Sequence, residues 1–337
     1  VTQGQPGMDL SLFSRDVVAM STAVGLSHNL FDAAVCLGIC DKIVPGMMIG
    51  ALNFGHLPVG FIGSGPMSSG IPNKTKADVR QRYAEGKADR AQLLAVESAS
   101  YHSPGTCTFY GTANSNQVLM EMLGVQLPGS SFLHPGDPMR IHLLRRTILQ
   151  LIGPDAPGAA RPLCEVVTES SLVNAVVSLL ATGGSTNHTL HLVAIARCAG
   201  IDLTWEDMDT LSSVVPLLAR VYPNGSADIN DFQAAGGMAF LVRELRSGGL
   251  LNEDVCTLLG EGLDTCSHAP VLQSSGDLVW DQPMLQSSRP DVLTPLSHPF
   301  SQEGGLRSLG GNLGQSVIKI SAVDEDHRLV RAPCRVF

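Results

Sequence analysis

The 337-residue chain contains no apolar run approaching the roughly 18 residues needed to cross a bilayer. Its opening, "VTQGQPGMDL", has neither the charged nor the apolar part of a signal peptide. Positive charge is scarce: 22 Lys and Arg against 31 Asp and Glu leave a net charge of −9. That balance argues against nucleic acid or an anionic membrane as partner, while leaving room for a local basic pocket. No two cysteines form a C-x₂-C pair, which excludes a zinc ribbon, and the chain has no internal repeat. A soluble, cytoplasmic protein is expected.

What is present is core-forming material, 44% hydrophobic against 16% charged residues, over a length that allows about two domains. Eight cysteines, at 36, 40, 107, 164, 198, 256, 266 and 334, are scattered through the chain. Such scatter favours reduced thiols, some buried and some ligands, over a disulfide framework. The chain begins with Val and stops at the strand-like "RAPCRVF", so a piece of a longer protein is expected.

The short apolar run "AAVCLGIC" (33–40) reads as a strand buried on both faces. Pro45 then suits the first turn of a helix with "GMMIGAL" as its body, and "LPVGFIG" (57–63) reads as the next strand. Strand, helix and strand make the βαβ unit of a parallel sheet. "CDKIVPG" (40–46) thereby falls just past a strand's C-terminal end, the edge where open α/β sheets place ligands. Residues 73–102 have a helical pattern and carry Lys74, Lys76, Arg80, Arg82, Lys87 and Arg90, charges expected to face solvent. Ser103-Pro104-Gly105 breaks that helix, and Cys107 sits in the polar loop beyond it. Asn114, Ser115 and Asn116 then open an apolar helix expected to start near Gln117.

Residues 171–201 read as two apolar helices joined by Gly183–Asn187, and "WEDMDTLSSVVPLLARVYPNG" and "INDFQAAGGMAFLVRELRSGGLL" as further helices with glycine stops. Residues 268–299 have the Ser, Pro and Gln content of a linker. After them "GNLGQSVIKISAVDEDHRLVRAPCRVF" alternates like antiparallel strands around a "DEDH" turn. The expected fold is α/β: a helix-rich parallel-sheet domain over 1–267, a linker over 268–299, and from 300 to 337 the start of a mainly β, barrel-like domain.

Cys40, Asp41 and Lys42 put a thiol, a carboxylate and an amine on successive residues. Thiolate sulfur suits iron–sulfur clusters and zinc, whereas carboxylate oxygen prefers Mg²⁺ or Mn²⁺, so the pair could serve two different metals. The plain alternative is a Cys closing a strand beside an exposed Asp–Lys pair. A second loop thiol, Cys107, at the foot of a helix favours the first reading. Cys36 would share a strand face with Cys40 but reads as core. Ser185, Thr186 and Asn187 before an apolar helix are either an ordinary N-cap or an anion cradle behind glycines. His188 and His191, three apart, read as core or surface histidines ahead of a metal pair, and His56 and His102 as loop hydrogen-bonding groups.

"CDKIVPG", "GPMSSG", "ESASYHSPGTCTFYGTANSNQ", "LLATGGSTNH" and "GNLGQSVIK", in this order across almost the whole chain, closely resemble the dehydratase family that contains dihydroxy-acid and 6-phosphogluconate dehydratases. The loop "PGTCTFYGTAN" is similar to the 6-phosphogluconate branch, as are "TGGSTNHTLHLVAIARCAGI" and "YPNGSADINDFQAAGG". The resemblance implies that Cys40 and Cys107 are two of three thiolates holding an iron–sulfur cluster, 4Fe-4S favoured and 2Fe-2S possible. It implies that Asp41 is a Mg²⁺ ligand and that Lys42 becomes an oxygen donor as a carbamate. A third cluster cysteine and a further acidic ligand are expected upstream of residue 1, and a serine base in a later C-terminal part, so no catalytic base is assigned here and this piece alone is expected to be inactive.

The activity implied is removal of water from 6-phospho-D-gluconate to give 2-keto-3-deoxy-6-phosphogluconate, an Entner–Doudoroff step, with a homodimer as the working form. Ser185, Thr186 and Asn187 are then candidates for binding the sugar-acid phosphate. The alternatives are another dihydroxy-acid or sugar-acid substrate, or a thiol-based metal-binding or redox protein that depends on Cys36, Cys40 and Cys107 and has no use for Asp41 or Lys42.

Overall fold

The computed structural model describes residues 5–153, 161–333 and 335. A 3₁₀ turn, Pro6–Leu10, leads into helix α1 (Ser11–Leu26), which packs across helix α2 (Ile43–Leu52). Their close approach requires Gly46 and Gly50, one turn apart on α2. A Cβ on Gly46 would stand 2.8 Å from the Arg15 carbonyl oxygen, and one on Gly50 2.6 Å from that of Ala19. Strands β1 (Ala34–Gly38) and β2 (Val59–Gly63), joined through α2, pair in parallel with Ala34 opposite Val59 and Gly38 opposite Gly63. The expected strand–helix–strand unit is present, and Pro45 lies in the first turn of a helix that begins at Ile43. β1 is not buried on both faces, however. Cys36 points into the core while Val35 and Leu37, which alternate to the opposite face, are exposed.

The charged stretch 73–102 is two helices, α3 (Asn73–Ala84) and α4 (Arg90–Ser100). Gly86 breaks the chain at φ +71°, and Asp89 restarts it by accepting the Gln92 N–H in a capping box. Arg80 clamps the pair through two bonds to Glu97, 2.6 and 2.9 Å. Helix α5 (Thr112–Met122) follows, and every one of its residues is buried. A helix satisfies its own main-chain polar groups, so it can occupy the middle of a core. Around it stand α6 (Met139–Ile152), α7 (Leu163–Val166), α8 (Glu169–Thr182), α9 (His188–Cys198), α10 (Trp205–Ser212), α11 (Ile229–Ala234) and α12 (Gly237–Ser247). The main hydrophobic core runs from Cys36 to Leu306, centred on the contact of α5 with α8.

Several expectations are corrected. Helix α5 starts at Thr112, so Asn114, Ser115 and Asn116 lie inside it and are not its cap. The stretch after Ser212 is extended: Leu217, Ala219 and Val221 make isolated bridges to Ser301, Leu293 and Ala227, which bury apolar side chains that a helix beginning beyond Pro216 would have to turn outward. After the two-residue strands β3 (Cys256–Thr257) and β4 (Gly260–Glu261), the segment expected as a linker holds an antiparallel hairpin, β5 (His268–Leu272) with β6 (Leu278–Pro283). The Trp280 indole N–H donates to the Pro128 carbonyl at 3.0 Å and pins the hairpin to the body of the protein. The last hairpin, β7 (Arg307–Gly311) with β8 (Gly314–Ile318), turns at Asn312-Leu313. "DEDH" is instead part of a 3₁₀ turn, Glu325–His327. Residues 331–333 and 335 of the strand-like "RAPCRVF" are not in a strand, and Cys334, Val336 and Phe337 lie outside the described residues. Among those residues no helix is long and apolar enough to cross a membrane.

Glu121 on α5 is enclosed in this core, one carboxylate oxygen accepting the Gly129 N–H at 2.8 Å and the other the Ser131 hydroxyl. Burial pushes its carboxyl up from the ordinary 4.5 to about 7. The folded chain therefore holds a proton that the unfolded chain has already released, and the stability this contributes is full below pH 4.5 and is lost as pH rises through about 7. The loss amounts to about 3 kcal/mol. Glu121→Gln should flatten the pH dependence of urea unfolding across that window and leave the variant more stable than the parent at alkaline pH. An unchanged slope would remove Glu121 as its source.

Candidate functional site

The amino-terminal half of α5 carries polar side chains where core packing alone would place apolar ones, and four of them hold three loops. Asn116 donates its amide to the carbonyls of Cys40 (3.2 Å) and Asp41 (3.0 Å). Asn114 donates to the carbonyls of Cys107 (2.7 Å) and Phe109 (2.8 Å) and accepts from the Thr106 hydroxyl at 3.2 Å. The Thr112 hydroxyl lies 2.8 Å from the Ser185 hydroxyl and accepts the Asn187 amide at 2.8 Å. Ser115 pairs with Nε2 of His188 at 2.7 Å.

The loop held by Asn116 is strained. Cys40, two residues beyond β1, sits at φ +73°, where a side chain costs about 1–3 kcal/mol. The turn exposes Cys40 and folds Lys42 back on Asp41, Nζ to Oδ2 2.7 Å, with the lysine side chain 12% exposed. The other carboxylate oxygen of Asp41, Oδ1, is shielded from water and has no hydrogen-bond partner. Such an orphaned oxygen suits a cation. Burial, with the neighbouring Cys40 acting in the same direction, pushes the Cys107 thiol up to about 11. The two thiols are close enough to repel as thiolates, and a shared cation would relieve that repulsion.

The third loop, Gly183–Asn187, joins α8 to α9 as expected, but Asn187 does not cap α9 through its side chain. Its own N–H goes to the Ser185 hydroxyl at 3.2 Å and its amide to Thr112. Ser185 and Asn187 are thus committed to fixing the turn, and the Thr186 hydroxyl has no such bond among the described residues.

The three loops face one cavity of about 950 Å³. Cys40, Asp41, Lys42 and Cys107 line it together with Ser185, Thr186 and Asn187, so the structure gathers every site residue singled out in the sequence. A smaller cavity of about 330 Å³ shares Tyr101, Cys107, Phe109 and Tyr222 and adds Lys76 and Arg80. Sequence reasoning missed Lys319, which lines the main cavity from beyond β8. Its only signal was its place in "GNLGQSVIK". It also read the α5 polar residues as a helix opening, because their partners are distant in the chain.

His188 and His191 are buried behind the cavity, their rings 5.9 Å apart and edge-on. Burial, followed by the nearby Lys42 and Arg15 charges, pulls His191 down to about 4, and His188 is lowered well below its ordinary range by burial first. Both are neutral near pH 7 and belong to the core. Cys36 is core as well, its thiol pushed up to about 12 by burial. His102 bonds the Ser68 hydroxyl at 3.1 Å across its loop. Among the described residues no group of three or more His, Cys, Asp or Glu is arranged to hold a metal. The donors present, two thiols, one carboxylate with an orphaned oxygen and one amine, fit part of an iron–sulfur and Mg²⁺ site.

A strained thiol loop beside a carboxylate–lysine pair, on an α/β scaffold, defines a candidate metal-assisted enzyme site. The sequence pattern of the dihydroxy-acid/6-phosphogluconate dehydratase N-terminal region matches residues 1–266, and that of the corresponding C-terminal region matches residues 291–337. The chain belongs to this family. It is similar over its whole length to the phosphogluconate dehydratases of Pseudomonas aeruginosa (60% identical, covering 55% of the relative), Escherichia coli K12 (56%, covering 56%) and Zymomonas mobilis (54%, covering 56%). The chain spans about half the length of the curated relatives it matches.

Two stability measurements check this geometry. Cys40→Gly should be more stable to urea than Cys40→Ala by about 1 kcal/mol, since both lack the thiol and only alanine keeps a Cβ at positive φ. Equal stabilities would mean that the turn is relaxed. Asn116→Ala, which orphans two loop carbonyls, should cost about 1–3 kcal/mol, whereas a loss below half that would make its bonds incidental.

Proposed function

We propose that this chain forms the cofactor-holding part of a phosphogluconate dehydratase, which converts 6-phospho-D-gluconate to 2-keto-3-deoxy-6-phosphogluconate and water. One observation carries the reading: a single cavity gathers Cys40, Asp41, Lys42 and Cys107 with the Ser185–Asn187 turn. Similarity over the full chain to proteins named phosphogluconate dehydratase supports it.

Cys40 and Cys107 would be two of the thiolates around an iron–sulfur cluster, 4Fe-4S in preference to 2Fe-2S, with Asp41 and Lys42 on Mg²⁺. When bound, these groups supply Lewis acidity to the departing C3 hydroxyl and stabilise the negative charge that develops beside the carboxylate. The protein's own part is to hold the donors and exclude competing water. Asn116 and Asn114 aim the two thiol loops, and the rings of Phe109, Tyr110 and Pro223 wall the cavity. Lys42 as an ammonium repels a cation. Addition of carbon dioxide to its neutral amine, with release of one proton, makes it an anionic oxygen donor next to the orphaned Asp41 oxygen. The Ser185–Asn187 turn, with its Thr186 hydroxyl uncommitted, would receive an anionic part of the substrate. Cys40, Asp41, Lys42 and Cys107 are committed to ligation in this reading, so none of them is the base that removes the C2 proton. The family resemblance further carries a cytoplasmic homodimer, and a barrel-type β domain beginning near residue 300.

The test uses the full-length protein from the intact gene, purified without oxygen and supplied with Mg²⁺. Formation of 2-keto acid from 6-phosphogluconate is compared with that from 2,3-dihydroxyisovalerate. Turnover confined to the phosphorylated acid is expected, and should be lost in Asp41→Ala and Lys42→Ala. Turnover confined to the dihydroxy acid would reassign the substrate. Metal uptake that needs Cys40 and Cys107 but neither Asp41 nor Lys42, without turnover of either acid, would replace the enzyme with a thiol metal-binding protein.

A further inference from the structure

A charged side chain facing a partly enclosed cavity is costly unless an opposite charge meets it. Four cations line the two connected cavities. Lys42 pairs with Asp41 at 2.7 Å, Arg80 is held by Glu97 at 2.6 Å, and Lys76 lies in the field of the same Glu97. Lys319 is different. Among the described residues its ammonium makes no hydrogen bond and no ion pair, and burial alone, with no carboxylate opposing it, pulls it down from 10.5 to about 8.

Its position is nevertheless built. Lys319 stands between the end of β8 and the 3₁₀ turn Ile320–Ala322. Within that turn the Ser321 hydroxyl donates to Oδ1 of Asn224 at 2.8 Å, and the Ser321 N–H to the Gly305 carbonyl at 3.3 Å. The Asn224 amide in turn donates to the Gly183 carbonyl at 2.8 Å and that of Thr182 at 3.3 Å. This ladder ties Lys319 to the Gly183–Asn187 turn. A flexible lysine that only served solubility would need no such anchoring.

We propose that Lys319, with the Thr186 hydroxyl that lines the same cavity, binds the phosphate of the substrate. The assignment rests on the phosphorylated sugar-acid reading above and deepens it, because that substrate carries two anionic groups. The carboxylate would be met on the Asp41–Lys42 side by the cation that those two residues would hold. The phosphate needs a second positive partner, and Lys319 is the lining cation without an anion of its own. Its contact is a charge-assisted hydrogen bond, and the residue acts in binding and specificity, not on the reacting carbons.

The experiment uses full-length, cofactor-loaded protein. KM and kcat for 6-phosphogluconate are measured with inhibition constants for gluconate and inorganic phosphate, in the parent, Lys319→Met, Lys319→Arg and, for comparison, Lys76→Met. Lys319→Met should raise KM by about tenfold to a hundredfold and weaken phosphate inhibition comparably, the loss of one charged hydrogen bond. Its kcat and its inhibition by gluconate should stay within about twofold of the parent, which also certifies its fold, and Lys319→Arg should recover most of the KM. An unchanged KM in Lys319→Met, or the same phosphate-specific loss in Lys76→Met instead, overturns the assignment and leaves the dehydratase reading intact. Equal weakening of gluconate and phosphate overturns it too, since the lysine would then serve the whole cavity. A parent enzyme that ignores 6-phosphogluconate overturns both.

Discussion

Four polar side chains on the buried helix α5 are the constraint on which the site depends. Thr112, Asn114, Ser115 and Asn116 lie around the start of one helix and between them reach three distant segments of the chain. A buried carbonyl left without a donor costs more than a made hydrogen bond contributes, so these contacts act as requirements more than as additions. If α5 rotated or slid by one residue, the Cys40 loop, the Cys107 loop and the Gly183–Asn187 turn would lose their hydrogen-bond partners together. The helix can be central because its interior backbone groups bond within it and its end groups find partners in the flanking turns, while Val118, Leu119, Met120 and Met122 are buried in the core.

That rigidity is what lets the chain tolerate Cys40 at positive φ. An isolated turn would relax into an ordinary conformation, but here two carbonyls are held from below by Asn116 while β1 fixes the entry and α2 the exit. The strain turns a thiol outward beside a carboxylate, an arrangement useful for gathering metal donors and of no evident benefit to packing. The electrostatics agree with this. The histidines behind the site are kept neutral by burial, so the positive charges near the cavity come from lysine and arginine.

The cavity also joins distant parts of the chain. Its thiol loops and its turn belong to the stretch matched by the family's amino-terminal pattern, whereas Lys319 belongs to the stretch matched by the carboxy-terminal one. The ladder through Asn224 and Ser321 carries that later segment onto the earlier body.

The sequence by itself determined the local elements whose pattern is self-contained. The βαβ unit at 34–63, the helices on either side of Gly183–Asn187, and the identity of Cys40, Asp41, Lys42 and Cys107 as candidates followed from apolar period, breakers and donor chemistry. Reading failed where a residue's partner lies far along the chain. "VVPLLARVYPNG" looks helical by composition and is extended because bridges to residues near 293 and 301 decide its shape. The linker-like stretch 268–299 forms a hairpin once Trp280 finds the Pro128 carbonyl. Asn114 and Asn116 look like a helix opening until the loops they hold come into view, and Lys319 looks like any strand-end lysine until the cavity closes around it. Tertiary structure alone could decide these, because hydrogen-bond satisfaction and burial are properties of neighbours in space, and the residues concerned become neighbours only when the chain has folded.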